Sequence, residues 1–74
     1  MSTTIEVVEV YGIRINRKEA SLLRLLFEHE HQYVRDDALN ELRRVACPET
    51  LEYIVMNHQH QYIRDAAMKA LKDL

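Results

Sequence analysis

Four histidines occupy two matching phrases. His29 and His31 stand in HEHQYVRDDAL, and His58 and His60 stand in HQHQYIRDAAM, 29 positions later. Neutral imidazole is a good ligand for zinc, nickel or copper, so four rings brought together, with Glu30 beside them, would make a metal site. Such a cluster would also make association between molecules sensitive to pH, because histidine titrates near neutrality. His-x-His in a short connection is nevertheless a non-specific motif. A structural role competes with it: a histidine at the end of a helix sets partial positive charge against the negative helix terminus, and duplication copies it. The choice turns on whether the four rings meet in space.

Each histidine pair is followed by the same polar set, Tyr33, Arg35 and Asp36 in the first phrase and Tyr62, Arg64 and Asp65 in the second. In a stack of two units, Arg64 of the later one is placed to pair with Asp36 of the earlier. Exposed ion pairs of this kind contribute little energy. A tyrosine buries a large area while keeping a polar tip, which suits either an interface anchor or a spacer between units. These six residues are the ones best placed to meet a partner. Cys47, beside Pro48, lacks a neighbouring base and an oriented third group, so it reads as a small linker residue and not as a nucleophile. Glu28, Glu30, Asp36 and Asp37 form an acidic group that solvated helix ends explain. No catalytic constellation emerges, and the expectation is a protein that is not an enzyme.

The elements that must position these residues follow from periodicity. Residues 5 to 15, IEVVEVYGIRI, are rich in β-branched side chains and alternate apolar with charged, apart from a slip at Val7-Val8. That pattern predicts strands at about 4–10 and 13–15 joined by a tight turn at Tyr11-Gly12, or one strand bulged there. Asn16, three residues before Glu19, can cap a helix beginning at Arg17, with the glutamate reaching back to the cap residue's own amide. Leu22, Leu23, Leu25, Leu26 and Phe27 cover most of that helix's circumference, so it expects neighbours on several sides. A second helix is predicted over about 33–46 with Val34, Ala38, Leu42 and Val45 inward, and a third over about 48–57, opened by Pro48, with Leu51, Ile54 and Val55 inward. A fourth, over about 61–74, repeats the stripe as Ile63, Ala67, Leu71 and Leu74.

A shift of 29 positions aligns residues 20–45 with 49–74. Leu22, His29, His31, Gln32, Tyr33, Arg35, Asp36, Ala38 and Leu42 recur as Leu51, His58, His60, Gln61, Tyr62, Arg64, Asp65, Ala67 and Leu71. Other positions change in size only, as with Leu25 to Ile54, Phe27 to Met56 and Leu39 to Met68. Two helices per unit at a fixed period are the mark of a helical repeat. The phrases YVRDDALNEL at 33–42 and YIRDAAMKAL at 62–71 resemble the second helix of HEAT-like repeats of the short, phycobilisome-lyase type, and the resemblance covers roughly residues 17–74. It implies a short α-solenoid of two stacked antiparallel helical hairpins and a role in binding other proteins, as an adaptor or small regulatory subunit. Some relatives attach or remove bilins, so a small tetrapyrrole-handling protein is the alternative implied by the family, and a metal-binding protein using the four histidines is the alternative from the residues. Fold alone transfers neither activity.

Composition narrows the field. The chain has 74 residues, 47% hydrophobic and 30% charged, with one glycine and one proline, which suits one compact helical domain. Within it we read a β segment at 1–16, a first repeat at 17–46 and a second at 47–74. Ten basic residues are dispersed among twelve acidic ones for a formal charge of −2, which argues against nucleic acid as a partner. A single cysteine, no basic leader followed by an apolar stretch, and no apolar run of membrane-spanning length together predict a cytoplasmic protein. No cofactor is expected outside the metal alternative. The partner is expected to be another protein, with self-association through the amino-terminal strands a further possibility, because the edge of a two-stranded hairpin invites another strand.

Overall fold

A computed structural model describes residues 6–74 of the chain. The predicted beginning of the first strand, at residues 4 and 5, lies outside them. Two strands come first, β1 (Val7–Val10) and β2 (Ile13–Asn16), paired antiparallel. The link is the two-residue turn Tyr11-Gly12, with φ of 52° and 84°. Both values lie in the left-handed region that a primed hairpin turn requires, and glycine meets this requirement without a steric penalty. The hairpin is thereby distinguished from a single bulged strand. Val8 pairs with Ile15 and Val10 with Ile13, and residues directly opposite one another share a face. Those four make the apolar side turned to the helices. Val7 falls on the other side and is exposed, which accounts for the slip in alternation.

The first helix, α1, spans Arg17–Glu28, with Asn16 as its cap: Asn16 Oδ1 accepts a hydrogen bond from the Glu19 amide at 2.8 Å. The reciprocal half of the expected box differs. Glu19 accepts from the Asn16 side-chain amide at 2.6 Å, and its other oxygen accepts from the Cys47 amide at 3.1 Å and the Thr50 hydroxyl at 2.8 Å. A buried carboxylate thus joins the beginning of the first helical hairpin to the beginning of the second. Three donors offset the desolvation that burial imposes on it.

The other helices are α2 (Gln32–Val45), α3 (Pro48–Asn57) and α4 (Gln61–Lys72). Their bounds differ from expectation by a residue or two, as helix ends do. Pro48 opens α3 in its first turn, where a missing amide costs nothing. Two members of the predicted inward stripes are outside. Val45 is exposed because it closes α2, where Ala46 and Cys47 instead turn toward the core; Leu74 is exposed because it lies beyond the end of α4. Leu39 and Ala70 are buried in their stead. Of the apolar residues around α1 that led us to expect neighbours on several sides, Leu25 is 39% exposed.

Helix α1 packs along α2, and α3 along α4, forming two helical hairpins whose second helices also meet. Both strands lie on α1, and β2 reaches α3. The core runs between the hairpins through Leu23, Leu26, Leu42, Leu51, Ile54 and Ile63, all without solvent exposure. The molecule is elongated, 42 × 27 × 21 Å. Among the described residues no helix is long and apolar enough to cross a membrane.

Candidate functional site

His29 and His58 are the residues that terminate α1 and α3. His58 is buried, and both its ring nitrogens are engaged. Nδ1 accepts from the His60 amide at 3.1 Å, which leaves Nε2 to carry the proton and donate it to the Leu26 carbonyl at 2.8 Å. Its ring tilts against Phe27 with centroids 4.7 Å apart. Burial pulls its pKa below the usual histidine value; the Leu26 carbonyl opposes that pull, while His60, Arg35 and Arg64 add to it. The histidine therefore serves the helix end as a neutral hydrogen-bond donor to the neighbouring unit, where the sequence suggested a positive charge against the helix dipole.

In the first unit, His29 keeps the inner bond, Nδ1 accepting from the His31 amide at 3.2 Å. The two rings of each turn lie 5.4 and 5.5 Å apart. No group of three or more histidine, cysteine, aspartate or glutamate side chains among the described residues is arranged to hold a metal ion. For His58 to become a ligand, one of its two hydrogen bonds would have to break.

The arginines serve their own turns. Arg35 Nη1 donates to the carbonyls of His29 at 2.8 Å and Glu30 at 2.9 Å, and Arg64 Nη1 donates to the His58 carbonyl. Each thus satisfies backbone acceptors left free where the first helix of the unit ends. The expected Arg64–Asp36 pair does not form. Asp36 Oδ1 instead accepts from the Tyr62 hydroxyl at 3.0 Å, so the polar link between units runs through tyrosine. The six candidate residues accordingly divide: Arg35 and Arg64 brace the turns, Tyr62 and Asp36 join the units, and Tyr33 and Asp65 stand exposed. Tyr33 is 67% exposed.

A feature the sequence did not single out appears when the two units are superposed by position. Leu23, Leu26, Phe27, Leu39 and Leu42 form the surface of the first unit on which the second packs; all but Phe27 are buried, and Phe27 is partly so. Their equivalents, Glu52, Val55, Met56, Met68 and Leu71, line an open groove of about 490 Å³. Met56 is 79% exposed there and Met68 40%. The signal lay in the alignment, where Met56 and Met68 answer Phe27 and Leu39, but size changes alone did not say that this face is exposed.

The hairpin tip forms a second structured surface. Tyr11 stacks on Tyr53 with centroids 5.5 Å apart, tilts on Phe27, and donates its hydroxyl proton to the Glu28 carboxylate. Burial, then the Glu28 hydrogen bond and charge, push its pKa up to about 12, so it remains a donor at neutral pH. This aromatic group fastens the turn to α1 and α3 and forms one wall of a shallow cleft with Ile13, Glu49, Met56 and Asn57. No protein-family model, curated protein or solved structure matches the chain.

Proposed function

We propose that the chain is a two-unit HEAT-like α-solenoid that works without chemistry of its own, as a small adaptor or regulatory subunit binding another protein. The observation that carries this reading is the groove of Glu52, Val55, Met56, Met68 and Leu71. In the first unit the equivalent surface is the contact on which the second unit packs, so its exposure in the second unit leaves an apolar face shaped to receive a protein surface. Methionines suit such a face, because an unbranched, polarisable side chain adapts to the shape of what it meets. Asp65 lies on the same unit as the groove, as Asp36 lies on the unit that receives Tyr62, and can accept a hydroxyl from a bound protein.

The test is capture of partners by the intact protein beside the variant Met68→Glu. Met68 is 40% exposed, so a charge there leaves the fold intact. Partners lost by the variant and kept by Lys69→Glu, outside the groove, support the reading; partners retained equally by both contradict it.

A further inference from the structure

The contact between the two units can be written as a register. His58 donates to the Leu26 carbonyl, Tyr62 donates to Asp36, and Leu51, Ile54, Ile63 and Ala67 of the second unit fill the core against Leu23, Leu26, Leu39 and Leu42 of the first. Advancing every residue of the first unit by 29 gives the open groove, with the Val55 carbonyl in place of Leu26 and Asp65 in place of Asp36. Moving every residue of the second unit back by 29 gives the opposite end of the molecule: His29, Tyr33, Leu22, Leu25, Val34 and Ala38. The partners of the His58 and Tyr62 bonds recur at the two ends, His29 for His58, Tyr33 for Tyr62 and Asp65 for Asp36, whereas Glu19 has no counterpart. Of the residues at the opposite end, Leu25 and Tyr33 are exposed, at 39% and 67%, Leu22 and Val34 are half-buried, and Ala38 is buried.

We propose that the occupant of the groove is a second copy of this chain, docked head to tail, so that the internal contact between units is continued between molecules. The proposal rests on the reading of the groove as a protein-binding face and names its partner. His29 of the incoming copy donates to the Val55 carbonyl, Tyr33 donates to Asp65, and Leu25 enters between Val55 and Met68, as Ile54 enters the internal core. Met56 meets the incoming imidazole where Phe27 meets His58. Three positions depart from the internal pattern: Glu52 replaces Leu23 in the groove, Glu41 stands where the second unit has Ala70, and Pro48 stands where the first unit has Glu19, so the buried carboxylate link to Cys47 and Thr50 is not repeated. Two added carboxylates and one missing link make contact between copies weaker than contact between units and reversible with dilution. A heterologous contact of this type uses different surfaces on the two molecules and leaves one of each free, so it continues into short stacks and does not stop at a closed dimer.

Sedimentation velocity of the intact chain, from micromolar to millimolar concentration, tests it with two variants that disable one end each. Met68→Glu blocks the groove and Leu25→Glu blocks the opposite end, and both side chains are exposed enough for the fold to tolerate a charge; helical circular dichroism checks this. The wild type is expected to grow in mean mass with concentration, and each variant alone to weaken association by roughly tenfold or more. An equimolar mixture of the two variants is expected to form a one-to-one dimer and nothing larger, because only one sound pair of surfaces remains. A wild type that is monomeric throughout, or a mixture that stays monomeric, overturns the proposal. So does association that survives both substitutions, which would locate it elsewhere, such as the strand edges. If the wild type is monomeric yet Met68→Glu still abolishes capture of another protein, head-to-tail docking falls while the groove stands as a binding face.

Discussion

His58 has opposite consequences in neutral and in acid solution. Its imidazole is neutral in the fold, donating through Nε2 and accepting through Nδ1, and a second proton would set an N–H against the His60 amide. With its folded pKa below the unfolded value, the proton is bound more tightly by the unfolded chain. Nothing is lost above the ordinary histidine range; stability then declines as pH falls through that range and levels off once the folded pKa is passed. Thermal melts at pH 7.5 and 5.5 are expected to show a lower midpoint in acid, with part of that difference removed in His58→Phe. Equal pH sensitivity in the two proteins would contradict the assignment. Glu19 makes the companion prediction. Glu19→Ala leaves the buried Thr50 hydroxyl and the Cys47 amide without their acceptor and should cost about 2–3 kcal/mol in urea unfolding; a loss of a few tenths would show that the link between hairpins is incidental. The sequence made the cap legible through the Asn16–Glu19 spacing. It could not show that the glutamate serves the next unit, 28 and 31 residues further on, because that contact depends on packing.

Among the elements, the turn at Tyr11-Gly12 is the most sharply constrained. No side chain crowds Gly12, so Gly12→Ala is penalised by its φ of 84° alone, by about 1 kcal/mol. Chemical denaturation should show a loss of that size, and no loss would mean the hairpin relaxes freely. Tyr62→Phe removes only the hydroxyl that reaches Asp36, an exposed bond, and should lower stability by about 1 kcal/mol or less. Existence and order of all four helices were readable from the 3.6-residue period and from Pro48, and the hairpin from the single glycine. Val45 and Leu74 were misplaced because periodicity continues a stripe past the point where the backbone leaves the helix. The arginines differ for another reason: the spacing of Arg64 and Asp36 permits an ion pair between units, but the guanidinium donates instead to the His58 carbonyl at the end of α3.

At the scale of the whole molecule, two helical hairpins share one buried contact and leave the groove of the second exposed. The 29-residue period made the duplication legible, including the histidine turns. Which surfaces face inward was not, since each unit carries the histidine and the tyrosine and only the fold decides that His58 and Tyr62 bond to the other unit. The asymmetry follows from the packing: the second unit docks on the first through His58 and Tyr62. Head-to-tail docking requires the end surfaces to repeat the internal contact. Backbone amide spectra of isotopically labelled protein, recorded across a dilution series, test it residue by residue. Head-to-tail docking predicts concentration-dependent shifts at Val55, Met56, Met68 and Leu71 together with Leu25, His29 and Tyr33, and silence at Val7 and Glu9 on the outer side of the hairpin. Shifts confined to the strands, or none at any concentration, would contradict it.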